Sequence, residues 1–387
     1  MKTFSKPNIE LADIFRQFGH LLGPLPKAER KVIQAIKNCR TSILGGHKST
    51  CDSCDYEKKQ YNSCRNRHCP KCQFLTRSEW IEKRSKDLLP CQYFHVVFTL
   101  PSELRPLILR NKEIGYRLLL KAASETLKEV AANPKNLGAE IGCIAVLHTW
   151  AQNLIDHPHV HFIVPGGGLN KDKWRPCKRN YFLPVKILSQ VFRAKILKGF
   201  RAAFDDNELT FPGKIAYLEA AANFQNLLSG CAGKEFVVYS KETFAGPEQV
   251  INYLGQYTHR IAISNYRLVK IEGEMIEFKV RDRSDPTNKK TMRLHVKEFM
   301  RRFLSHVLPK GFVRIRHYGL LGNRNKKQKL AIIRQIHGMT SSTTTAVKEV
   351  WKDLLYRLTG IEADRCPKCK LGRMIENTFF EQLINSS

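Results

Sequence analysis

Apolar residues recur along the chain with two different periods, which together predict a protein of mixed helices and strands. Val32, Ile33 and Ile36 show the three- to four-residue spacing of a helix face, and Pro26 just before them fits a helix start. Compact runs of valine, isoleucine and aromatic residues instead predict buried strands. The predicted helices cover residues 1–40, 76–89, 102–131, 184–205 and 295–308. The predicted strands cover residues 93–100, 144–150, 157–164, 235–239, 261–263, 266–271 and 277–281.

Strands interspersed with helices predict an α+β fold in which an antiparallel sheet is flanked by helices. The connection between residues 144–150 and 157–164 is short, so we expect these two strands to pair as a hairpin. Changes of composition predict four consecutive segments: a helical segment, a cysteine-rich module, a region of strands and helices, and a basic C-terminal region. Their predicted bounds are residues 1–45, 46–89, 90–285 and 286–387.

The charge of the chain narrows its possible partners. It carries 65 Lys and Arg against 35 Asp and Glu, a formal net charge of +30 that is spread over its whole length. Such an excess favours a polyanionic partner. We expect this partner to be nucleic acid in preference to a ribosomal or membrane surface. No run of about 20 apolar residues is present, and the first residues lack the apolar core of a signal peptide. We therefore expect no membrane partner and a reducing cytoplasm, where clustered cysteines bind metal more often than they form disulfides.

Two Cys-x2-Cys pairs lie in the cysteine-rich module and are separated by fourteen residues. Each pair can present two thiolates to one ion, and two pairs complete a tetrahedral Zn²⁺ site with no position left for a substrate. We therefore expect one structural Zn²⁺ bound by Cys51, Cys54, Cys69 and Cys72.

Other cysteines and one histidine leave alternatives open. Cys64 and His68, in the loop between the two pairs, could replace one of the four ligands or serve a second ion. Cys366 and Cys369 form a further pair near the C-terminus, which binds zinc with distant ligands or binds nothing. The remaining cysteines stand alone in the sequence and are expected in the core: Cys39, Cys91, Cys143, Cys177 and Cys231.

The segment from His157 to Val164 contains two histidines separated by one apolar residue, His159 and His161. Because a strand turns successive side chains to opposite faces, both imidazoles project from the same face. Two adjacent imidazoles suit a divalent metal ion, although a single His-x-His pair is also common in ordinary strands.

Neighbouring side chains offer further ligands to this histidine pair. His157 is in phase with the pair, and His148 lies on the preceding strand. Gln152 and Asp156 are oxygen donors in the connection, which a hairpin would fold back toward the pair. A mixed nitrogen and oxygen site of this kind favours Mg²⁺ or Mn²⁺ over a closed zinc site.

Two tyrosines further along the chain suggest a reaction for the metal site. Tyr253 and Tyr257 stand four residues apart on a predicted helix, so both phenols face one side, about 6 Å apart along the axis. Taken alone, the two would be interpreted as packing residues. Combined with the histidine pair, the zinc module and the positive charge, they indicate DNA cleavage through a covalent phosphotyrosine.

Four motifs of the chain together resemble the rolling-circle insertion-sequence transposases of the two-tyrosine HUH class, in which HUH denotes His–hydrophobic–His. The resemblance extends over nearly the whole length. The motifs are similar, in turn, to the family's zinc-binding domain, HUH motif, tyrosine motif and a downstream signature, at residues 61–73, 157–167, 253–265 and 314–319.

The resemblance implies a role for individual residues of a catalytic domain that spans residues 90–285. His159 and His161 would bind Mg²⁺ or Mn²⁺. Gln152 is the first choice for the third ligand, and His157 is the second choice, as a ligand or as a group behind the ligands. The implied fold is an HUH endonuclease-type antiparallel sheet flanked by helices, with a small zinc-ribbon-like module before it and a basic region after it.

The resemblance also implies a reaction, with Tyr253 and Tyr257 as the nucleophiles of a DNA strand transferase. Single-stranded or hairpin DNA at the element ends would be nicked and rejoined through 5′-phosphotyrosine intermediates, together with host replication machinery. Such an enzyme would lie in the bacterial cytoplasm, associated with the nucleoid through DNA. A replication initiator or relaxase shares the same chemistry, and a zinc-finger regulator would bind DNA without cutting it. A zinc hydrolase is disfavoured because the sequence has no HExxH motif.

Overall fold

The computed structural model describes residues 9–178, 180–243, 261–281, 289–339 and 362–380, together with residues 353, 356, 357 and 360. Contacts within the chain define two compact units. The first unit comprises residues 1–80, 259–307 and 343–387, and the second comprises residues 81–258 and 308–342.

The helices of the described residues are α1 (Leu11–Phe18), α2 (Lys27–Asn38), α3 (Gln73–Ser85), α4 (Arg105–Arg110), α5 (Lys112–Ala132), α6 (Val185–Asp205), α7 (Ala221–Ala232), α8 (Val296–Ser305) and α9 (Lys326–Ile336). The strands are β1 (Gly46–Cys51), β2 (Glu57–Tyr61), β3 (Tyr93–Thr99), β4 (Gly142–Trp150), β5 (Asp156–Pro165), β6 (Gly167–Asn170), β7 (Lys173–Pro176), β8 (Val238–Thr243), β9 (Leu268–Glu272), β10 (Met275–Arg281), β11 (Lys289–His295), β12 (Ile315–Gly319) and β13 (Met374–Phe380).

The first unit is assembled from stretches that are far apart in the sequence. One of its sheets has the order β13-β1-β2, so a strand near the C-terminus pairs with a strand of the cysteine-rich module. Helices α1 and α8 also meet, with the rings of Phe15 and Phe303 5.7 Å apart between centroids. The backbone N–H of Leu11 donates to Oδ1 of Asn265 at 3.1 Å. These long-range contacts are why the observed units differ from the four consecutive segments predicted from composition.

A second sheet of the first unit has the order β11-β10-β9 and packs on α8, where Phe278 meets Phe299 edge-on at 5.6 Å between centroids. The predicted strands at residues 266–271 and 277–281 correspond to β9 and β10 with shifted ends. The strand predicted at residues 261–263 is wrong, because this stretch is irregular. Its apolar side chains are used for burial without strand pairing, since Ala262 and Ile263 are 6% and 1% exposed.

The second unit is built on a five-stranded antiparallel sheet with the order β12-β4-β5-β3-β8, flanked by helices, which confirms the α+β prediction. Strands β4 and β5 pair as the expected hairpin. One face of the sheet is the core: Phe98 of β3 meets Phe162 of β5 and Phe192 of α6, at 5.6 and 4.9 Å between centroids. The alternate residues of the same strands face the other way, and these include the histidines.

Two predictions at the edges of this unit have different outcomes. The strand predicted at residues 235–239 begins only at Val238 and runs to Thr243. The helix predicted to carry Tyr253 and Tyr257 lies outside the described residues. Of the helices that the structure describes, none combines the length and apolar character needed to cross a bilayer.

Candidate metal centres and active site

Three imidazoles of the second unit converge at the hairpin of β4 and β5. In the antiparallel register His148 of β4 stands opposite His159 of β5, and His161 follows two residues later on the same face. One ligand nitrogen of each ring lies within 4.8 Å of the others. His148 is buried and His159 is half-buried, so the centre is partly accessible. We call these three residues the histidine centre.

Hydrogen bonds orient two rings of the histidine centre. Nδ1 of His159 lies 2.6 Å from the backbone oxygen of His157, and since a carbonyl oxygen only accepts, Nδ1 carries the proton. Nδ1 of His161 lies 2.8 Å from Nε2 of His95. Because Nδ1 is engaged in both rings, Nε2 would be the coordinating atom of each.

His95 is a functional candidate that the sequence analysis missed. It lies on β3, beside β5, and its ring is nearly parallel to that of His161, with 5.0 Å between centroids and 6° between planes. Burial lowers the pKa of His95 to about 4, so the ring is neutral and its Nε2 can accept from Nδ1–H of His161. In the sequence His95 is a lone histidine in an apolar strand, and only the strand register could have connected it with His161.

The other predicted ligands lie around this centre. Nδ1 of His157 is 3.2 Å from Nη2 of Arg105, and His157 does not belong to the group of three converging imidazoles. Gln152 lies in the turn between β4 and β5, and its role as a ligand stays a prediction. His148, which the sequence offered only as an alternative, is the third imidazole, and Trp150 stacks on it at 4.8 Å.

The predicted nucleophiles, Tyr253 and Tyr257, lie outside the described residues. Their role in the reaction therefore remains the prediction made from their spacing and from the resemblance.

The first unit gathers eight cysteines into two clusters of four. The first, which we call the base cluster, consists of Cys39, Cys64, Cys69 and Cys72. The second, which we call the tip cluster, consists of Cys51, Cys54, Cys366 and Cys369. In the base cluster the sulfur of Cys72 lies 3.5 Å from that of Cys39 and 3.6 Å from that of Cys64.

This arrangement corrects the prediction that Cys51, Cys54, Cys69 and Cys72 bind one ion. Strands β1 and β2 form an antiparallel hairpin, with Cys51 at the end of β1 that leads into the turn. Six strand residues span about 17 Å. Cys51 and Cys54, at the turn of the hairpin, are therefore too far from Cys69 and Cys72, which lie beyond its open end, to bind the same ion. Among the described residues, the base cluster includes Cys64, which was predicted as an alternative ligand, and does not include His68.

Cys39 and the pair Cys366 and Cys369 therefore lie beside other cysteines that could bind the same ion, which their spacing in the sequence did not indicate. Cys39 stands alone in the sequence, but α2 ends there and brings it to the base cluster. A backbone signal does accompany the ligands. The residues that directly follow four of the clustered cysteines have a left-handed φ of 51° to 58°, which is uncommon for residues other than glycine: Arg40, Asp55, Arg65 and Lys370.

The two kinds of centre differ in what they can do chemically. Four thiolates fill the tetrahedral shell of Zn²⁺ and leave no position for a substrate. Amide donors from Gly372 and Leu371 lower the pKa of Cys369 to about 6, whereas burial raises the pKa of Cys51 to about 12. A bound cation would favour the thiolate form of both. Three imidazoles instead leave positions for a water or substrate oxygen. The cysteine clusters are thus suited to a structural role and the histidine centre to catalysis.

Comparison with known proteins identifies two family matches. Residues 142–329 match the family described as "Putative transposase", and residues 11–100 match the family described as "Transposase zinc-binding domain". The "Putative transposase y4qJ" of Sinorhizobium fredii is 48% identical over 381 residues, which covers 96% of each chain. The "Transposase for insertion sequence element IS801" of Pseudomonas savastanoi pv. phaseolicola is 27% identical over 361 residues, which covers 91% of this chain and 85% of the relative. No solved structure matches.

Proposed function

Since the chain belongs to the insertion-sequence transposases that carry an N-terminal zinc-binding domain, we propose that it nicks and rejoins single-stranded DNA by tyrosine attack at the histidine centre. Transposases act on DNA, which agrees with the net charge of +30. The finer proposal concerns the form of the substrate, the metal and the nucleophile. We infer that the substrate is single-stranded or hairpin DNA at the element ends, processed together with the host replication machinery.

The observation that carries this proposal is the convergence of His148, His159 and His161 within one strand pair of a transposase. The donor set fits a divalent ion, because three neutral imidazoles leave the charge of the ion undiminished and its remaining positions open. Imidazole nitrogens favour ions of the first transition series over Mg²⁺, which prefers oxygen. Of the two predicted ions we therefore favour Mn²⁺, unless an oxygen donor such as Gln152 joins the set.

A bound divalent ion would neutralise the charge that develops on the scissile phosphate. The protein's own contribution begins with orientation: the carbonyl of His157 and the ring of His95 fix the tautomers of His159 and His161, respectively. These interactions hold the ligand nitrogens in place before DNA arrives, so no reorganisation is needed during the reaction.

The covalent step uses Tyr253 or Tyr257 as the nucleophile. The phenol loses its proton, its oxygen forms a bond to phosphorus, and the bond from phosphorus to the 3′ oxygen breaks. The products are a 5′-phosphotyrosine and a free 3′ oxygen, which takes up one proton, equivalent to the one that the phenol lost, and becomes a 3′-hydroxyl. The phosphodiester energy is kept in the covalent bond, so rejoining needs no nucleotide cofactor. A second tyrosine allows a second strand to be cut before the first is released, which is the requirement for strand transfer.

The proposal is tested by the covalent adduct. With Mn²⁺ and an oligonucleotide from the element end, the wild-type protein should give an adduct that survives denaturation. The double variant Tyr253→Phe with Tyr257→Phe should give none, because the attacking oxygen is absent. The matched control is Tyr266→Phe, which removes one exposed phenol outside the tyrosine motif and should leave adduct formation unchanged. An adduct formed by the double variant would refute the nucleophile assignment.

A further inference from the structure

The tip cluster extends beyond the zinc-binding domain, whose match ends at residue 100, because two of its four cysteines lie near the C-terminus. Each Cys-x2-Cys pair of the cluster forms a knuckle, a short turn that presents two sulfurs. Between the two knuckles, the sulfurs of Cys51 and Cys369 are 3.7 Å apart, and so are those of Cys54 and Cys366. A disulfide requires a sulfur separation of about 2.05 Å. The edge of a tetrahedron of thiolates around Zn²⁺ is about 3.8 Å, given a zinc–sulfur bond of about 2.3 Å. The four sulfurs therefore stand at the spacing of metal ligands.

The two knuckles of the tip cluster are built alike. In each, the residue after the second cysteine turns the chain with a left-handed φ, which is 52° at Asp55 and 58° at Lys370. In each, a backbone amide donates to a cysteine sulfur at 3.4 Å, from Ser53 to the first cysteine of its knuckle, Cys51, and from Gly372 to the second cysteine of the other, Cys369. Amide donors favour the thiolate over the thiol. This repeated construction indicates two halves of one ligand set.

The backbone also brings the two knuckles close together at Gly372. A Cβ at this position would lie 2.6 Å from Sγ of Cys51, nearer than real side chains approach, so a larger residue would require the first knuckle to shift. Beside it, the N–H of Arg373 donates to Oδ1 of Asp52 at 2.9 Å, and the N–H of Asp52 donates to the backbone oxygen of Arg373 at 3.0 Å. The knuckle of Cys366 and Cys369 thus packs closely against the knuckle of Cys51 and Cys54 and is hydrogen-bonded to it.

Among the side chains of β13 that the structure describes, few make apolar contacts that would hold the strand to β1. The hydrophobic cluster here consists largely of the cysteines themselves, with Met374 and Tyr56. On β13 itself Phe379 is 78% exposed and Ile375 is 54% exposed. A core of this size does not hold a strand unaided, and a structural metal is the common substitute in small modules.

We propose that Cys51, Cys54, Cys366 and Cys369 bind one Zn²⁺, separate from the ion of the base cluster, that fastens β13 to β1. The four thiolates complete a tetrahedron, so this ion is structural. Cys54 and Cys366 are 312 residues apart, so the ion closes a chain loop that contains every residue of the second unit. The zinc-binding module is therefore discontinuous, and its C-terminal strand depends on metal.

Metal content tests this proposal on the full chain. Wild-type protein should contain two Zn²⁺ per chain by mass spectrometry. The double variant Cys366→Ser with Cys369→Ser should contain one. The matched control, Cys91→Ser with Cys177→Ser, removes two half-buried thiols outside both clusters and should keep two. One Zn²⁺ per wild-type chain, or two in the Cys366→Ser and Cys369→Ser variant, would overturn the proposal.

A second measurement follows the strand and needs no cysteine variant to fold. Wild-type protein stripped of metal should take up two equivalents of Co²⁺ with thiolate charge-transfer absorption, and saturation at one equivalent would contradict the proposal. Hydrogen exchange of residues 374–380 should be slow in the two-zinc protein and become at least about tenfold faster after metal removal. Exchange of this strand that is insensitive to metal would show that the cluster does not fasten it. None of these measurements depends on DNA cleavage.

Discussion

The histidine centre and the two cysteine clusters are each assembled from residues on or beside antiparallel strands, but the distances that they bridge along the chain differ greatly. His148, His159 and His161 lie within one hairpin, whereas the tip cluster joins Cys54 to Cys366 across 312 residues. The histidine centre has its geometry from the sheet and from hydrogen bonds to its rings. The tip cluster has only a small hydrophobic cluster around it, so we expect it to depend on its ligand set. This difference suggests that metal completes the histidine centre for chemistry, whereas it completes the cysteine clusters for folding.

The sharpest test of this difference removes ligands from the histidine centre. His159→Ala with His161→Ala should reduce adduct formation by about a hundredfold or more, because charge on the phosphate is no longer neutralised. The same variant should keep its zinc content, since neither cysteine cluster is altered. Adduct yield with Mn²⁺ and zinc content by mass spectrometry are the two measurements. The comparison fails if cleavage persists in EDTA, or if loss of the imidazoles also releases zinc.

The third ligand of the histidine centre is decided by a pair of variants. His148→Ala should weaken Mn²⁺ binding and adduct formation by about 10- to 100-fold, because His148 is the third converging imidazole. Gln152→Ala is the matched comparison, and we expect a smaller effect from it. Mn²⁺ affinity is measured by electron paramagnetic resonance of the free ion during titration. A larger loss from Gln152→Ala would restore Gln152 as the third ligand and would favour Mg²⁺ as the ion.

Prediction from sequence succeeded where structure is local. A period of two placed His159 and His161 on one face, and the short connection after Trp150 predicted the hairpin that the structure contains. The α+β class follows from the same patterns. His95 escaped because strand order cannot be read from one strand, and β3 lies beside β5 although more than forty residues separate them in the sequence.

The cysteines show where prediction from sequence fails. Each Cys-x2-Cys pair is a local signal and was recognised, but its partner is chosen by tertiary structure. The β1–β2 hairpin separates Cys51 from Cys69, and the pairing of β13 with β1 supplies Cys366 instead. Cys39 has no local signal other than the left-handed residue that follows it, Arg40, and that is a property of the backbone.

The smallest predicted effect concerns His95, which we assign as a positioning residue because it acts through His161. His95→Phe removes the acceptor of the His161 Nδ1–H bond and should lower Mn²⁺ affinity by about tenfold, the lower end for groups that orient a metal ligand. His95→Asn retains an acceptor and should recover part of that affinity. A purely structural role would make both variants lose thermal stability while Mn²⁺ affinity per folded protein stayed unchanged. Because β3 and β5 are paired along their length, we expect both variants to fold, so the affinity ratio between them isolates the hydrogen bond.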